Sequence, residues 1–177
     1  FSKNGYCVRF DSTEIPTTGV KAAGVKGMNL KDDEVVSAVS ITDEDYIDIF
    51  TNNKTAKRIK TSELPETGRA KRGNAVIKKV KSTNYEIIKS LSMDARDIVI
   101  IKSDSEIKEI KNSDIAIMDL ASTGSSITKN KIDLIAKKSD FISFLKKEVK
   151  IQKTEELKSE GKVKELTIDD FLDDFKI

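Results

Sequence analysis

One phrase of this chain occurs twice, 49 positions apart, and it limits the fold more than any other feature. Glu14-Ile15-Pro16-Thr17-Thr18-Gly19 returns as Glu63-Leu64-Pro65-Glu66-Thr67-Gly68. At the same spacing Arg9-Phe10 returns as Arg58-Ile59 and Gly24 as Gly73. Glu34-Val35-Val36 returns as Glu86-Ile87-Ile88 at an offset of 52, which implies a short insertion. A third copy is decayed: Asp114-Ile115 aligns with Glu63-Leu64, and Gly124 with Gly73, at an offset of 51. It lacks the proline, the first glycine and the basic residues. A period near 50 is long for helical repeats and suits propeller-like blades.

The local pattern agrees. Segments 6–10, 35–41, 46–50, 75–80, 86–91 and 98–101 are short and rich in Val, Ile and aromatic residues, and several alternate apolar with polar. Turn formers bound them: Asn4-Gly5, Asp32-Asp33, Asn52-Asn53 and Asp94. Pro16 and Pro65 stand at one point of the repeat, where a missing N–H predicts a loop or strand edge. We expect an all-β array over residues 3–138, with blades at about 4–51 and 52–103 and a degenerate one at 104–138.

The stretches from Gly19 to Gly24 and from Gly68 to Gly73 each bridge two strands, and glycine there permits positive φ or close backbone approach. The second carries Arg69, Lys71 and Arg72 between its glycines. It lies in a window, residues 52–82, that holds ten basic and two acidic residues, net +8, whereas the whole chain of 177 residues is only +2. Two readings of that window are open: a polyanion footprint, or a solvated lysine-rich surface.

Other classes are excluded or weak. The chain has no histidine, which rules out Ser–His triads and histidine metal sites. Its single cysteine, Cys7, has no internal partner and reads as a buried strand residue. No run nears the ~18 apolar residues of a membrane helix, so no membrane partner is expected. Phe1-Ser2-Lys3 opens the chain without methionine or a signal-peptide pattern, which suggests a cytoplasmic fragment. Asp43-Glu44-Asp45 reads as a solvated hairpin turn, so neither a metal nor a cofactor is expected.

The blade phrase resembles a known family. Gly5-Tyr6-Cys7-Val8-Arg9-Phe10, then Gly19-Val20-Lys21-Ala22-Ala23-Gly24-Val25-Lys26-Gly27-Met28-Asn29-Leu30, then Asp33-Glu34-Val35-Val36, is similar to the repeat of gyrase A and topoisomerase IV A C-terminal domains. Val20 stands where the pattern has arginine, and Arg69 restores it in the second copy. The resemblance covers residues 4–103 well and 104–138 loosely. It implies a β-pinwheel whose blades exchange strands, and a basic rim that binds and bends duplex DNA without reading sequence. It implies that the partners are duplex DNA and a topoisomerase catalytic core made by the B subunit and the rest of the A subunit. The cutting tyrosine would lie upstream, because Tyr6, Tyr46 and Tyr85 do not match its context. With the basic window, the resemblance assigns DNA contact to Arg9, Lys21, Lys26, Lys54, Lys57, Arg58, Lys60, Arg69, Lys71, Arg72, Lys78 and Lys79. Gyrase A carries a box Gln-Arg-Arg-Gly-Gly-Lys-Gly. The nearest match, Arg69-Ala70-Lys71-Arg72-Gly73-Asn74, lacks its end, so topoisomerase IV or a divergent relative fits better.

From residue 139 the pattern turns helical. Ser139-Asp140 suits a cap, with Phe141, Ile142, Leu145 and Val149 at helical spacing. At the end, Ile168, Phe171, Leu172 and Phe175 form a stripe opposite Asp169, Asp170, Asp173 and Asp174. This acidic end suits a docking peptide, a fold-back onto the basic rim, or a cap on the last blade. The alternative to a DNA-binding array is an all-β adaptor between proteins. An adaptor has no reason to keep Arg9 and Arg58 in register.

Overall fold

The computed structural model describes residues 1–103 and 106–141. The stripe of residues 168–175 and most of the charged tail lie outside the described residues. Residues 1–138 form one compact unit, and residues 138–141 begin a helix.

The strands, in chain order, are β1 (Tyr6–Cys7), β2 (Tyr46–Thr51), β3 (Thr55–Lys60), β4 (Asn74–Ala75), β5 (Ile87–Met93), β6 (Ile98–Ser103), β7 (Glu106–Lys111), β8 (Ser125–Ser126) and β9 (Leu134–Lys137). Three antiparallel sheets result: β1-β4, β5-β2-β3-β8 and β7-β6-β9. The middle sheet draws β2 from the first repeat, β3 and β5 from the second and β8 from the third. Blades therefore exchange strands, and the sequence period becomes a chain of interlocked sheets.

A short 3₁₀ turn recurs in every repeat, at Ser12–Glu14, Thr61–Glu63 and Asn112–Asp114. The bridge between Arg9 and Glu66 is repeated between Arg58 and Ile117. Gly73 (φ 82°) and Gly124 (φ 83°) share a backbone state as well as an alignment. At Gly73 a Cβ would overlap the Cys7 carbonyl, and at Gly124 it would lie 2.8 Å from the Ala56 carbonyl oxygen. Glycine is required at both because the next strand passes where the side chain would be.

Two apolar clusters flank the middle sheet. Ile47, Ile49 and Ile59 join Cys7, Leu64, Val76, Ile77 and Ile87 on one side. Phe50, Ala56 and Met93 join Val99, Ile101, Ile115 and Ile135 on the other. Both faces of β2 and β3 are thus covered, and every residue from Ile47 to Thr51 and from Thr55 to Ile59 is buried.

Some expected strands are corrected. Segment 35–41 is not a strand. Val35 makes one isolated bridge with Ser2, and the Val36 amide donates to the Phe1 carbonyl at 3.0 Å. Of 75–80 only Ala75 is in a strand, because the following residues turn away to give Lys78 N–H to the Ser122 carbonyl and to close a turn at Val80 and Thr83. Strands β3 and β7 escape a reading by apolar pattern because their charged residues mask the pairing. Their ladders run without a break from Tyr46–Lys60 to Phe50–Ala56 and from Ile98–Lys111 to Ser103–Glu106.

Candidate nucleic-acid interface

The residues of the basic window divide into those that hold blades together and those that face solvent. Three of the expected contacts belong to the first group. Arg9 donates from Nη1 to the carbonyls of Thr61 (2.7 Å) and Leu64 (3.1 Å). Arg58 repeats this one blade later, donating from Nε to the Ile115 carbonyl (2.7 Å) and from Nη2 to the Ser113 carbonyl (3.2 Å). Its guanidinium also lies 4.7 Å from the centre of the Tyr46 ring. Each arginine closes over the 3₁₀ turn of the next repeat and caps its carbonyls. The motif arginine is an inter-blade latch.

Lys57 is the third. It is buried on the first-cluster face of the middle sheet, and its ammonium donates to the carbonyls of Asp119 (3.2 Å), Leu120 (2.7 Å) and Ser122 (3.2 Å) and to Ser122 Oγ (3.1 Å). Burial lowers its pKa to about 8, against a smaller opposing effect of Asp119. Lys57, with its ammonium surrounded by internal acceptors, has no donor left for a phosphate, and Arg9 and Arg58 each commit part of the guanidinium to the next blade, so we place these three outside the proposed contact surface. The family resemblance and the basic window put them there, on the footing that charged residues are mostly exposed. For Lys57 and Arg58 that rule fails because β3 is covered on both faces.

Two more are partly committed. Arg69 donates from Nε to the Glu14 carbonyl (3.1 Å) and from Nη1 to the Lys26 carbonyl (3.3 Å), while its amide donates to Glu14 Oε2 (3.1 Å). Lys54, at φ 61°, donates to the Lys129 carbonyl at 2.7 Å.

The remaining cations form the candidate surface. Lys21, Lys26, Lys60, Lys71, Lys78 and Lys79 are exposed, and Arg72 is half-buried. The two glycine loops run side by side: Ala70 N–H donates to the Gly27 carbonyl and Asn29 N–H to the Lys71 carbonyl, both at 2.7 Å, with Met28 bridged to Lys71. Lys26, Arg69, Lys71 and Arg72 are thereby gathered from segments over 40 residues apart in sequence. Arg72 then stacks on Tyr6, 4.3 Å from its ring centre, and Lys79 Nζ lies 5.7 Å from the same centre. Sequence reasoning missed Tyr6 as a site residue. No local signal could find it, because β1–β4 pairing, Tyr6 opposite Ala75, is what brings it to Arg72.

Strand-exchanging sheets of one repeated unit, clasped by arginine latches and glycine loops, define a propeller-like β-pinwheel. Residues 1–43 and 45–89 match the family described as "DNA gyrase C-terminal domain, beta-propeller". The A subunit of DNA topoisomerase 4 from Streptococcus pyogenes serotype M3 is 40% identical over 87 residues, which is 49% of this chain and 10% of that protein. The Bacillus subtilis counterpart is 32% identical over 123 residues, 68% of this chain and 15% of that protein. The crystal structure of the C-terminal domain of DNA topoisomerase IV superposes with a TM-score of 0.72 at 34% identity, over 77% of this chain and 44% of that one. The chain belongs to the family of gyrase A and topoisomerase IV A C-terminal domains. It spans only 10% and 15% of the two curated relatives' length.

Proposed function

We propose that this chain binds and bends duplex DNA without reading its sequence, as the C-terminal part of the A subunit of a type IIA topoisomerase. The observation that carries this reading is the set of cations on and near the paired loops, Lys21, Lys26, Lys71 and Arg72 on the loops and Lys78 and Lys79 after β4, which with Lys60 at the end of β3 make no ion pair with a described carboxylate. Cations left without carboxylate partners favour a polyanion, and the regular phosphates of a duplex suit cations spread over a rigid surface. Family membership supports the same reading and disfavours the adaptor.

The work of the surface is to position DNA. ATP-dependent strand passage would belong to a catalytic core formed by the B subunit with the rest of the A subunit. Titration of duplex binding against salt tests the reading. With about five phosphates neutralised, log K should fall against log salt with a slope of about −4.5. A flat salt dependence would sink it.

A further inference from the structure

A cleft of about 300 Å³ opens between the Asn4–Gly5 turn and the loop that follows β4, and its wall carries Arg72, Lys78 and Lys79. Asn4 and Thr83 add neutral hydrogen-bonding groups, and no carboxylate lines it. Asp33 interacts electrostatically with Arg72 but forms no ion pair with it. We propose that this cleft seats a single phosphate group of a bound duplex, clamped between Arg72 and Lys79, and that Tyr6 is the positioning residue that aims both cations. The proposal rests on the DNA-binding reading above and adds a fixed point to it.

The site is built rather than incidental. Arg72 precedes Gly73, whose backbone at φ 82° presses against the Cys7 carbonyl, and Tyr6 precedes Cys7. The register Tyr6–Ala75 and Cys7–Asn74 then fixes the ring beside the guanidinium. Two like charges are thus drawn to one ring by its negative face, and the nearby Asp33 acts on Arg72 without forming an ion pair with either cation. A dianionic or monoanionic oxygen cluster between them satisfies both, and guanidinium and ammonium are the groups that serve phosphate best. Arg72, half-buried and stacked on Tyr6, is partly ordered before the phosphate arrives, which reduces the ordering needed on binding.

The next junction supplies an internal contrast. There Thr55 aligns with Tyr6 and Thr123 with Arg72, and Thr55 Oγ1 donates to the Thr123 carbonyl at 2.6 Å. The same architecture carries no ring and no cation pair, so the clamp is a feature of one junction and not a by-product of the repeat.

The test uses duplex binding by the whole chain across a salt series. Arg72→Ala with Lys79→Ala should weaken binding at least about tenfold at low salt. It should reduce the salt slope by about 1, the signature of one phosphate shared by two cations. Lys111→Ala with Lys129→Ala removes two exposed charges elsewhere and should leave affinity within about twofold. Tyr6→Leu keeps every charge and should cost about three- to tenfold with an unchanged slope, whereas Tyr6→Phe should bind as wild type. Arg72→Lys, which does not disturb β1, should show the same loss as Tyr6→Leu. Wild-type affinity in Tyr6→Leu and Arg72→Lys, or equal losses in the two double variants, would overturn the clamp while leaving DNA binding standing. Absence of salt-dependent binding by the wild-type chain would overturn both.

Discussion

At the residue scale, the same side-chain type does opposite jobs within a few positions. Lys57 and Arg58 are consumed by carbonyls of the next blade, while Lys60, two residues on, is exposed. The consumed group should matter for stability alone. Arg58→Ala strips caps from two carbonyls and removes the charge that holds down the pKa of Asp48, its cross-strand partner. We expect it to lower unfolding free energy in urea by about 3 kcal/mol and to leave DNA affinity per folded molecule unchanged. Lys71→Ala should do the reverse. Asp48 itself is fully buried with neither carboxylate oxygen hydrogen-bonded. Burial raises its pKa from 3.8 to about 8, outweighing the opposing pull of Arg58, with Asp97 adding a smaller upward push. The sign follows: below pH 4 the group is neutral in both states and costs nothing. Between pH 4 and 8 the unfolded chain ionises and the folded one resists, so this group lowers stability as pH rises. Asp48→Asn should therefore raise the melting temperature by several degrees at pH 8 and change it little at pH 4. Equal shifts at both pH values would contradict this assignment.

At the element scale, the junctions between blades carry the fold. Each is one arginine latch, one parallel bridge and one glycine pressed on a foreign carbonyl. Gly73→Ala adds a methyl where the Cys7 carbonyl stands and forces a left-handed φ on alanine, so we expect a loss of at least about 3 kcal/mol. Gly19→Ala is the matched control. Nothing lies within 4 Å of its added methyl and its φ is outside the left-handed region, so its melting temperature should stay within a degree or two of wild type. A comparable loss in both would mean that glycine serves chain flexibility and not close approach. In the third repeat the latch position holds Glu109, which takes a hydrogen bond from Lys138 at 2.8 Å in place of reaching a following turn. The β7-β6-β9 sheet accordingly has no counterpart of β8 among the described residues.

These elements show which parts of the molecule are legible in sequence. The repeat is, because glycine at 73 and 124 and the 3₁₀ turn of each repeat are demanded by backbone geometry, which leaves its mark at fixed positions. The family is legible for the same reason. The partition of the basic window is not. The adjacent charges of β3, Lys57-Arg58, hide the strand, and only the arrival of the third repeat at residues 115–122 buries both of them. The Tyr6 ring beside Arg72 is equally hidden, since the pairing that joins them spans more than 60 residues of chain. Segments 35–41 and 75–80 mimic strands because apolar runs there serve packing against Phe1 and the first cluster without ladder pairing.

At the scale of the whole molecule, interlocked sheets make a rigid base for loops that project cations at fixed spacing, and no described helix is long and apolar enough to cross a membrane. The chain's net charge of +2 would not by itself draw DNA. What matters is that the blades sort the basic window, turning Lys57 and Arg58 inward and leaving Lys71, Lys78 and Lys79 exposed on or beside the paired loops. Binding is thus a property of place. The most direct measurement compares two variants of equal charge in duplex binding over a salt series, Lys26, Lys71 and Lys78 changed together to alanine, and Lys102, Lys111 and Lys129 changed together to alanine. All six side chains are exposed, so folding should survive in both. The first variant should lose about 2.7 from the salt slope and at least about a hundredfold in affinity at low salt, with the second close to wild type. Equal losses in the two would contradict the account, for binding would then follow net charge and not the paired-loop surface.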